Sequence, residues 1–173
     1  MDEIDRRALI GTLALAGSAL AAETARAAPP MLDMKDIKKD TDVACVYHCD
    51  FGDPARIRQM TTNINNHLSI YDYDPFKAKI VVVAHAQGVK PLLVDLEGTP
   101  WAKEKEQYDA TLFQRYEDLA KFGVEVYLCQ ITFKNNKIDL AKARTAPFIK
   151  LVASGVASVA ELQGKGFSYI KVG

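Results

Sequence analysis

The sequence has few of the residues on which familiar cofactor and nucleic-acid sites depend. Its 173 residues include only three cysteines and three histidines, and 22 lysines and arginines balance 22 aspartates and glutamates. It contains no Gly-x-Ser-x-Gly, Gly-x-x-x-x-Gly-Lys, Gly-x-Gly-x-x-Gly or His-Glu-x-x-His motif. The balanced charge excludes the basic stripe that drives nucleic-acid binding through counterion release. Small molecules or proteins are therefore the expected partners, and no common organic cofactor is expected.

The sequence also lacks an apolar run long enough to cross a membrane stably. The longest run, residues 9–22, follows Arg6 and Arg7 and precedes the small residues Ala25-Arg26-Ala27. This pattern predicts an export signal over residues 1–27 that is cleaved near Ala27, and the paired arginines resemble a twin-arginine signal. A retained amphipathic anchor is the alternative. We therefore expect a periplasmic protein that has no membrane span after processing.

The rest of the chain alternates between strand and helix patterns. Residues 28–41 have no periodicity and are interpreted as a leader or linker, which leaves residues 42–173 as one domain. Helices are predicted after the cap pairs Asp53-Pro54 and Thr99-Pro100, near residues 139–144, and over residues 156–165. The predicted strands are Val43–His48, Lys79–Ala84, Val124–Leu128, Phe148–Val152 and Phe167–Lys171. This order predicts a three-layer α/β domain with a mainly parallel five-stranded sheet and helices on both faces.

Reactive side chains follow three of these strands directly. The first strand ends in His48, Cys49 and Asp50, and His85 follows the second strand. Cys129 follows the third strand and precedes a short helical turn. Because the carboxyl ends of parallel strands meet at one edge of the sheet, we expect these residues to share a crevice. Cys129 is the strongest candidate nucleophile or ligand. His67 lies beside the apolar stripe of the first helix and is interpreted as a packing or surface residue.

The two cysteines of the first strand call for separate interpretations. Cys45 and Cys49 are four residues apart, about 13 Å in an extended strand, which is too far for a disulfide between them. Cys45 is interpreted as a small buried hydrophobe. Cys49 can approach Cys129 if their strands are neighbours, and would then form a disulfide or act as a resolving thiol.

Several short segments together resemble one known family. The segments are Tyr47-His48 with Gly52-Asp53-Pro54, Asn63–His67, Val81–His85 with Gly88, the Cys129 region, Gly155-Val156, Glu161–Gln163, Gly166-Phe167 and Tyr169-Ile170. Their order and spacing resemble the DsrE/DsrF-like family over nearly the whole mature chain. The resemblance implies a compact three-layer α/β domain that assembles as trimers or hexamers and handles sulfane sulfur.

The resemblance also implies roles for individual residues. Cys129 corresponds to the cysteine that carries a persulfide in the best understood members of the family and hands it to a partner. His48 and His85 would then lower its pKa or orient the acceptor, and Cys49 would resolve the persulfide. The chain is thus expected to be a periplasmic sulfane-sulfur carrier or sulfurtransferase. Its partner would be a sulfur donor or acceptor, either a protein or a small sulfur compound.

Two other interpretations remain open at this stage. In one, the chain is a non-catalytic module that binds a small ligand or a soft metal, Cu(I) or Zn(II), through His48, Cys49, His85 and Cys129. In the other, it is an oligomeric scaffold whose cysteines are merely buried. Phe76 and Trp101 suit either a subunit interface or packing within the chain.

Overall fold

The computed structural model describes residues 26–173 of the chain. Nearly all of the predicted export signal, residues 1–27, lies outside these residues. None of the helices in the described part combines the length and the apolar character that a membrane span requires.

Residues 26–173 form one parallel sheet with helices against both of its faces. The strands are β1 (Val43–Cys49), β2 (Ala78–Ala84), β3 (Glu125–Cys129), β4 (Ile149–Val152) and β5 (Ser168–Ile170). The helices are α1 (Pro54–Ser69), α2 (Ala110–Ala120), α3 (Gln130–Asn135) and α4 (Gly155–Gly164). Every strand pair is parallel and the spatial order is β4-β3-β2-β1-β5. This arrangement confirms the predicted α/β fold class.

Strict alternation of side chains along the strands divides the core into two layers. Odd-numbered β1 residues such as Cys45 and Tyr47 pack on the face covered by α1 and α2, whereas Ala44 and Val46 pack on the face covered by α4. In β2, at the centre of the sheet, Ile80–Ala84 is almost completely buried. A strand with helices on both sides has no solvent-facing position, and this explains its continuous apolar sequence.

The helix boundaries follow local capping chemistry. Asp53 caps α1 by accepting a 3.0 Å hydrogen bond from the Ala55 amide, and Pro54 begins the helix, as predicted. The helix predicted to begin at Thr99-Pro100 begins instead at Ala110. Its cap is Asp109, and residues 102–107 form a 3₁₀ turn. Thr99 donates its hydroxyl to the Leu96 carbonyl, 2.7 Å away, and so stabilises a local turn.

Two further segments differ from their predicted form. The helix expected near residues 139–144 is only a 3₁₀ turn, Leu140–Lys142. Residues 30–32, within the predicted leader, lie along the outer edge of β4. There the Leu32 amide donates to the Leu151 carbonyl and the Leu151 amide donates to the Pro30 carbonyl, each at 2.8 Å. The segment thereby covers part of an otherwise unpaired sheet edge.

Packing within the chain accounts for Cys45, His67 and Trp101, whereas Phe76 is exposed. His67 is half-buried between α1 and the sheet, with Nδ1 3.1 Å from the Tyr47 hydroxyl and Nε2 3.9 Å from Cys45 Sγ. Trp101 packs within the chain, its ring centre 5.3 Å from Lys90 Nζ, while Phe76 is 88% exposed. His67 and Cys45 are therefore packing residues, as expected.

Substitution of two glycines tests how tightly the carboxyl edge of the sheet is packed. A β-carbon added at Gly88 would lie 2.0 Å from the Cys49 carbonyl oxygen, whereas one added at Gly164 meets no atom within 4 Å. We expect Gly88→Ala to lower the free energy of unfolding by about 3 kcal/mol or more. Gly164→Ala should raise it by up to about 1 kcal/mol. Urea denaturation of both variants measures this, and equal stability of the two would contradict the packing at Gly88.

Stability should also depend on the protonation of His67. Burial beside Cys45, Tyr47 and Tyr71 lowers the pKa of His67 below its usual 6.5, so the unfolded chain binds this proton more readily. The free energy of unfolding should therefore fall as the pH drops below about 6.5. His67→Gln should lose less stability than the wild type between about pH 7.5 and about pH 5.5 in urea titrations. An identical loss in both proteins would show that His67 does not contribute.

Candidate functional site

Three of the four predicted site residues lie on the same face of the sheet. Side chains two residues apart on a strand lie on the same face. His48 therefore lies on the face of Ala44 and Val46, and His85 on the face of Val81 and Val83. Cys129 lies on the face of Tyr127. All three therefore project toward α4 at the carboxyl edge of β1, β2 and β3. The predicted convergence of His48, His85 and Cys129 at one edge is a feature of the structure.

The two histidines form a close pair. His48 Nε2 lies 2.5 Å from His85 Nε2, and His48 Nδ1 lies 3.3 Å from the Tyr169 hydroxyl on β5. At this distance one ring donates an N–H to the lone pair of the other, because facing lone pairs or facing N–H groups would repel. Burial, and then the neighbouring His48, lower the pKa of His85. The neutral form of His85 is therefore favoured near neutral pH.

The amino end of α4 closes over His85 and Cys129. A β-carbon added at Gly155, the first residue of α4, would lie 2.9 Å from His85 Cβ and 3.1 Å from Cys129 Cβ. Ser154 caps the helix by accepting from the Ala157 amide, and the preceding amides of Gly155 and Val156 have no acceptor within the helix. The partial positive charge of a helix amino end favours an anion such as a thiolate.

The backbone after β2 holds His85 in place. Ala86 adopts a left-handed conformation (φ 47°), which is uncommon for a residue with a β-carbon. Its amide donates a 2.9 Å hydrogen bond to the hydroxyl of the buried Thr132 on α3, and the His85 amide donates to the Cys49 carbonyl at 3.0 Å. Local strain of this kind persists where surrounding contacts fix the chain, as they do often at functional sites.

The fourth predicted residue, Cys49, lies on the opposite face of the sheet. Its side chain is fully buried in the layer beneath α1 and α2, and this burial raises the pKa of the thiol to about 12. The strands β1 and β3 are not neighbours, because β2 lies between them, and all three cysteines are free thiols. The condition for a disulfide between Cys49 and Cys129 is therefore not met.

Sequence reasoning placed Asp50 at this edge without giving it a role, and it missed a groove nearby. Asp50 follows Cys49 and lies on the same face as His48, with ligand atoms of Asp50, His48 and His85 all within 4.8 Å of one another. An apolar groove of about 560 Å³ runs along α3 from Gln130, the residue after Cys129. Its lining residues are Gln130, Ile131, Phe133, Lys134, Ile138, Leu140 and Ala153. The two-residue period from His48 was the available signal for Asp50, whereas nothing local in the sequence indicates the groove.

The contact between α4 and Cys129 can be tested at Gly155. We expect Gly155→Ala to displace the amino end of α4, because the added methyl group would crowd both His85 and Cys129. Because this end covers the buried Cys129, displacing it should expose the thiol and speed its alkylation. Iodoacetamide labelling followed by peptide mass spectrometry measures the rate. Gly164→Ala, at the far end of α4, is the matched control, and equal rates in both variants would contradict the contact.

Comparison with known proteins agrees with this architecture. A solved structure of a protein of unknown function, MTH1491 from Methanobacterium thermoautotrophicum, matches with a TM-score of 0.58 and 22% identity. The match covers 75% of this chain and 99% of that one, and at this identity it shows the fold alone. No curated protein sequence matches the chain. The sequence model of the DsrE/DsrF-like family matches residues 46–172, a range that contains every residue of the site. The chain therefore belongs to the DsrE/DsrF-like family.

Proposed function

We propose that the protein is a sulfane-sulfur carrier or sulfurtransferase in which Cys129 carries the sulfur as a persulfide. Membership of the DsrE/DsrF-like family supports a role in sulfur relay in general. The observation that carries the specific proposal is the position of Cys129, which lies beside His85 and against the amino end of α4. Cys45 and Cys49 lack this surrounding, because both are buried in the opposite layer.

The proposed reaction needs no external oxidant. The Cys129 thiolate attacks the outer sulfur of a donor persulfide, a new S–S bond forms on Cys129, and the donor leaves as a thiolate that takes up a proton. A thiolate of the acceptor then attacks the outer sulfur on Cys129 and restores the cysteine. The total number of sulfane sulfurs is unchanged, so the protein transfers sulfur without a net change in oxidation state.

This exchange requires a base for the thiol proton and a group that stabilises the thiolate, and the neighbours of Cys129 supply both. His85 is neutral near pH 7, since its pKa is lowered, and it can accept the thiol proton that must leave before attack. The first turn of α4 then stabilises the resulting anion. Because Cys129 itself is buried, these groups act away from bulk water, which protects the persulfide from solvent reductants.

The exposed surroundings of Cys129 favour a protein as one of the exchange partners. Ile131 and Val156 are 46% and 65% exposed, and they flank the site on α3 and α4. The apolar groove along α3 offers a further contact surface. A small sulfur compound is the alternative donor. The twin arginines and apolar run of residues 1–27 support a periplasmic setting, and assembly into trimers or hexamers is part of the proposal by analogy with the family.

The test is the mass of the protein after exposure to glutathione persulfide. Wild-type protein should gain about 32 Da, the mass of one sulfur atom, and lose it again with dithiothreitol. Cys129→Ser should gain nothing because the acceptor sulfur is missing. Intact mass spectrometry measures each species.

Cys49→Ala is the matched control, and it should gain sulfur as the wild type does, because Cys49 lies in the other layer with its thiol protonated. His85→Gln should become persulfidated more slowly. A gain that persists in Cys129→Ser would refute the assignment, as would a gain that depends on Cys49.

A further inference from the structure

A second group of potential metal ligands lies at the same edge of the sheet and does not include Cys129. Ligand atoms of His48, Asp50 and His85 lie within 4.8 Å of one another. Both histidines are half-buried and Asp50 is exposed, so the set opens to solvent on one side. No lysine or arginine in residues 26–173 forms a salt bridge with the Asp50 carboxylate. The carboxylate is therefore available to an ion.

We propose that His48, Asp50 and His85 form a binding site for a divalent transition-metal ion such as Zn²⁺. Two imidazole nitrogens and one carboxylate oxygen make a three-ligand set that leaves a coordination position open for water or a small anion. The site goes beyond the sulfur function and does not depend on it, because Cys129 is not one of the three ligands.

The orientation of the two histidines supports this assignment. Their Nε2 atoms point at each other across 2.5 Å, so both are directed at one small volume. Donors around one tetrahedral zinc ion lie about 3.3 Å apart, and a small rotation of either ring reaches that separation. The Tyr169 hydroxyl, 3.3 Å from His48 Nδ1, takes the position of the outer partner that commonly orients a metal-binding imidazole.

The backbone holds the ligands before an ion arrives. His48 and Asp50 are two residues apart on one chain, which places both on the α4 face of the sheet. His85 is fixed by the hydrogen bond that its backbone amide donates to the Cys49 carbonyl and by the left-handed Ala86 that follows it. The three ligands thus come from two adjacent strands in fixed register, so little ordering is needed on binding.

The composition of the set distinguishes this site from the soft-metal site considered from the sequence. Cys49 is separated from the histidines by the sheet, and Asp50 takes its place. Nitrogen and oxygen donors favour Zn²⁺ and other divalent ions over Cu(I), which prefers sulfur. A bound ion should therefore show no thiolate coordination.

The test uses Zn²⁺ and Co²⁺ with the protein after treatment with a chelator. Titration calorimetry should give one Zn²⁺ per chain for the wild type. Asp50→Asn should weaken binding at least tenfold, and His48→Gln or His85→Gln should weaken it further, because each removes a ligand. Asp42→Asn is the matched control: it makes the same change of charge at the opposite end of β1 and should bind as the wild type does.

Two further measurements separate this proposal from the sulfur function. Cys129→Ser should keep wild-type affinity for Zn²⁺ although it cannot carry sulfur, whereas Asp50→Asn should still form the persulfide. The Co²⁺ protein should lack thiolate-to-metal charge-transfer absorption. The metal site is refuted if wild type binds no Zn²⁺, if Asp50→Asn and Asp42→Asn bind equally, or if the absorption appears and disappears in Cys129→Ser.

Discussion

The site depends on one geometric constraint, the two-residue alternation of side chains along parallel strands in fixed register. Ala84 pairs with Cys49 on one side and with Leu128 on the other, so the three strands β1, β2 and β3 end together. A slip of one residue in β3 would turn Cys129 into the opposite layer and leave the histidines without a thiol neighbour. The burial of β2 on both faces makes such a slip costly, because it would displace a complete row of packed side chains.

The contact between His48 and His85 determines which chemistry the histidine pair can support. The two Nε2 atoms lie 2.5 Å apart, so one ring donates an N–H to the other in the metal-free protein. In the sulfur proposal, His85 accepts the proton of the Cys129 thiol. In the metal proposal, an ion replaces the proton between the rings, the same nitrogens coordinate it, and Asp50 completes the ligand set. The two proposals are thus two occupancies of one pair of side chains.

The sequence predicted the parts of this structure that depend on local pattern. Strand order along the chain, the Asp53 cap and the convergence of His48, His85 and Cys129 follow from periodicity and from the common direction of parallel strands. To assign each side chain to a face of the sheet, the two-residue alternation must be continued past the end of β1. Continued in this way, it places Cys49 and Asp50 on opposite faces. The pairing of residues 30–32 with β4 and the closure of α4 over Cys129 are contacts between distant segments, which no local pattern records.

The position of Cys129 against the α4 amino end and beside His85 links sulfur reactivity to the charge on the histidine pair. A divalent ion would add positive charge beside Cys129 and so stabilise its thiolate. A better stabilised thiolate attacks a donor more slowly, but it leaves faster when an acceptor takes the outer sulfur. A metal-loaded site would thus accept a sulfur more slowly and hand it on faster. Asp50, which contributes to the metal set but not to the surroundings of Cys129, is the residue that would set this balance.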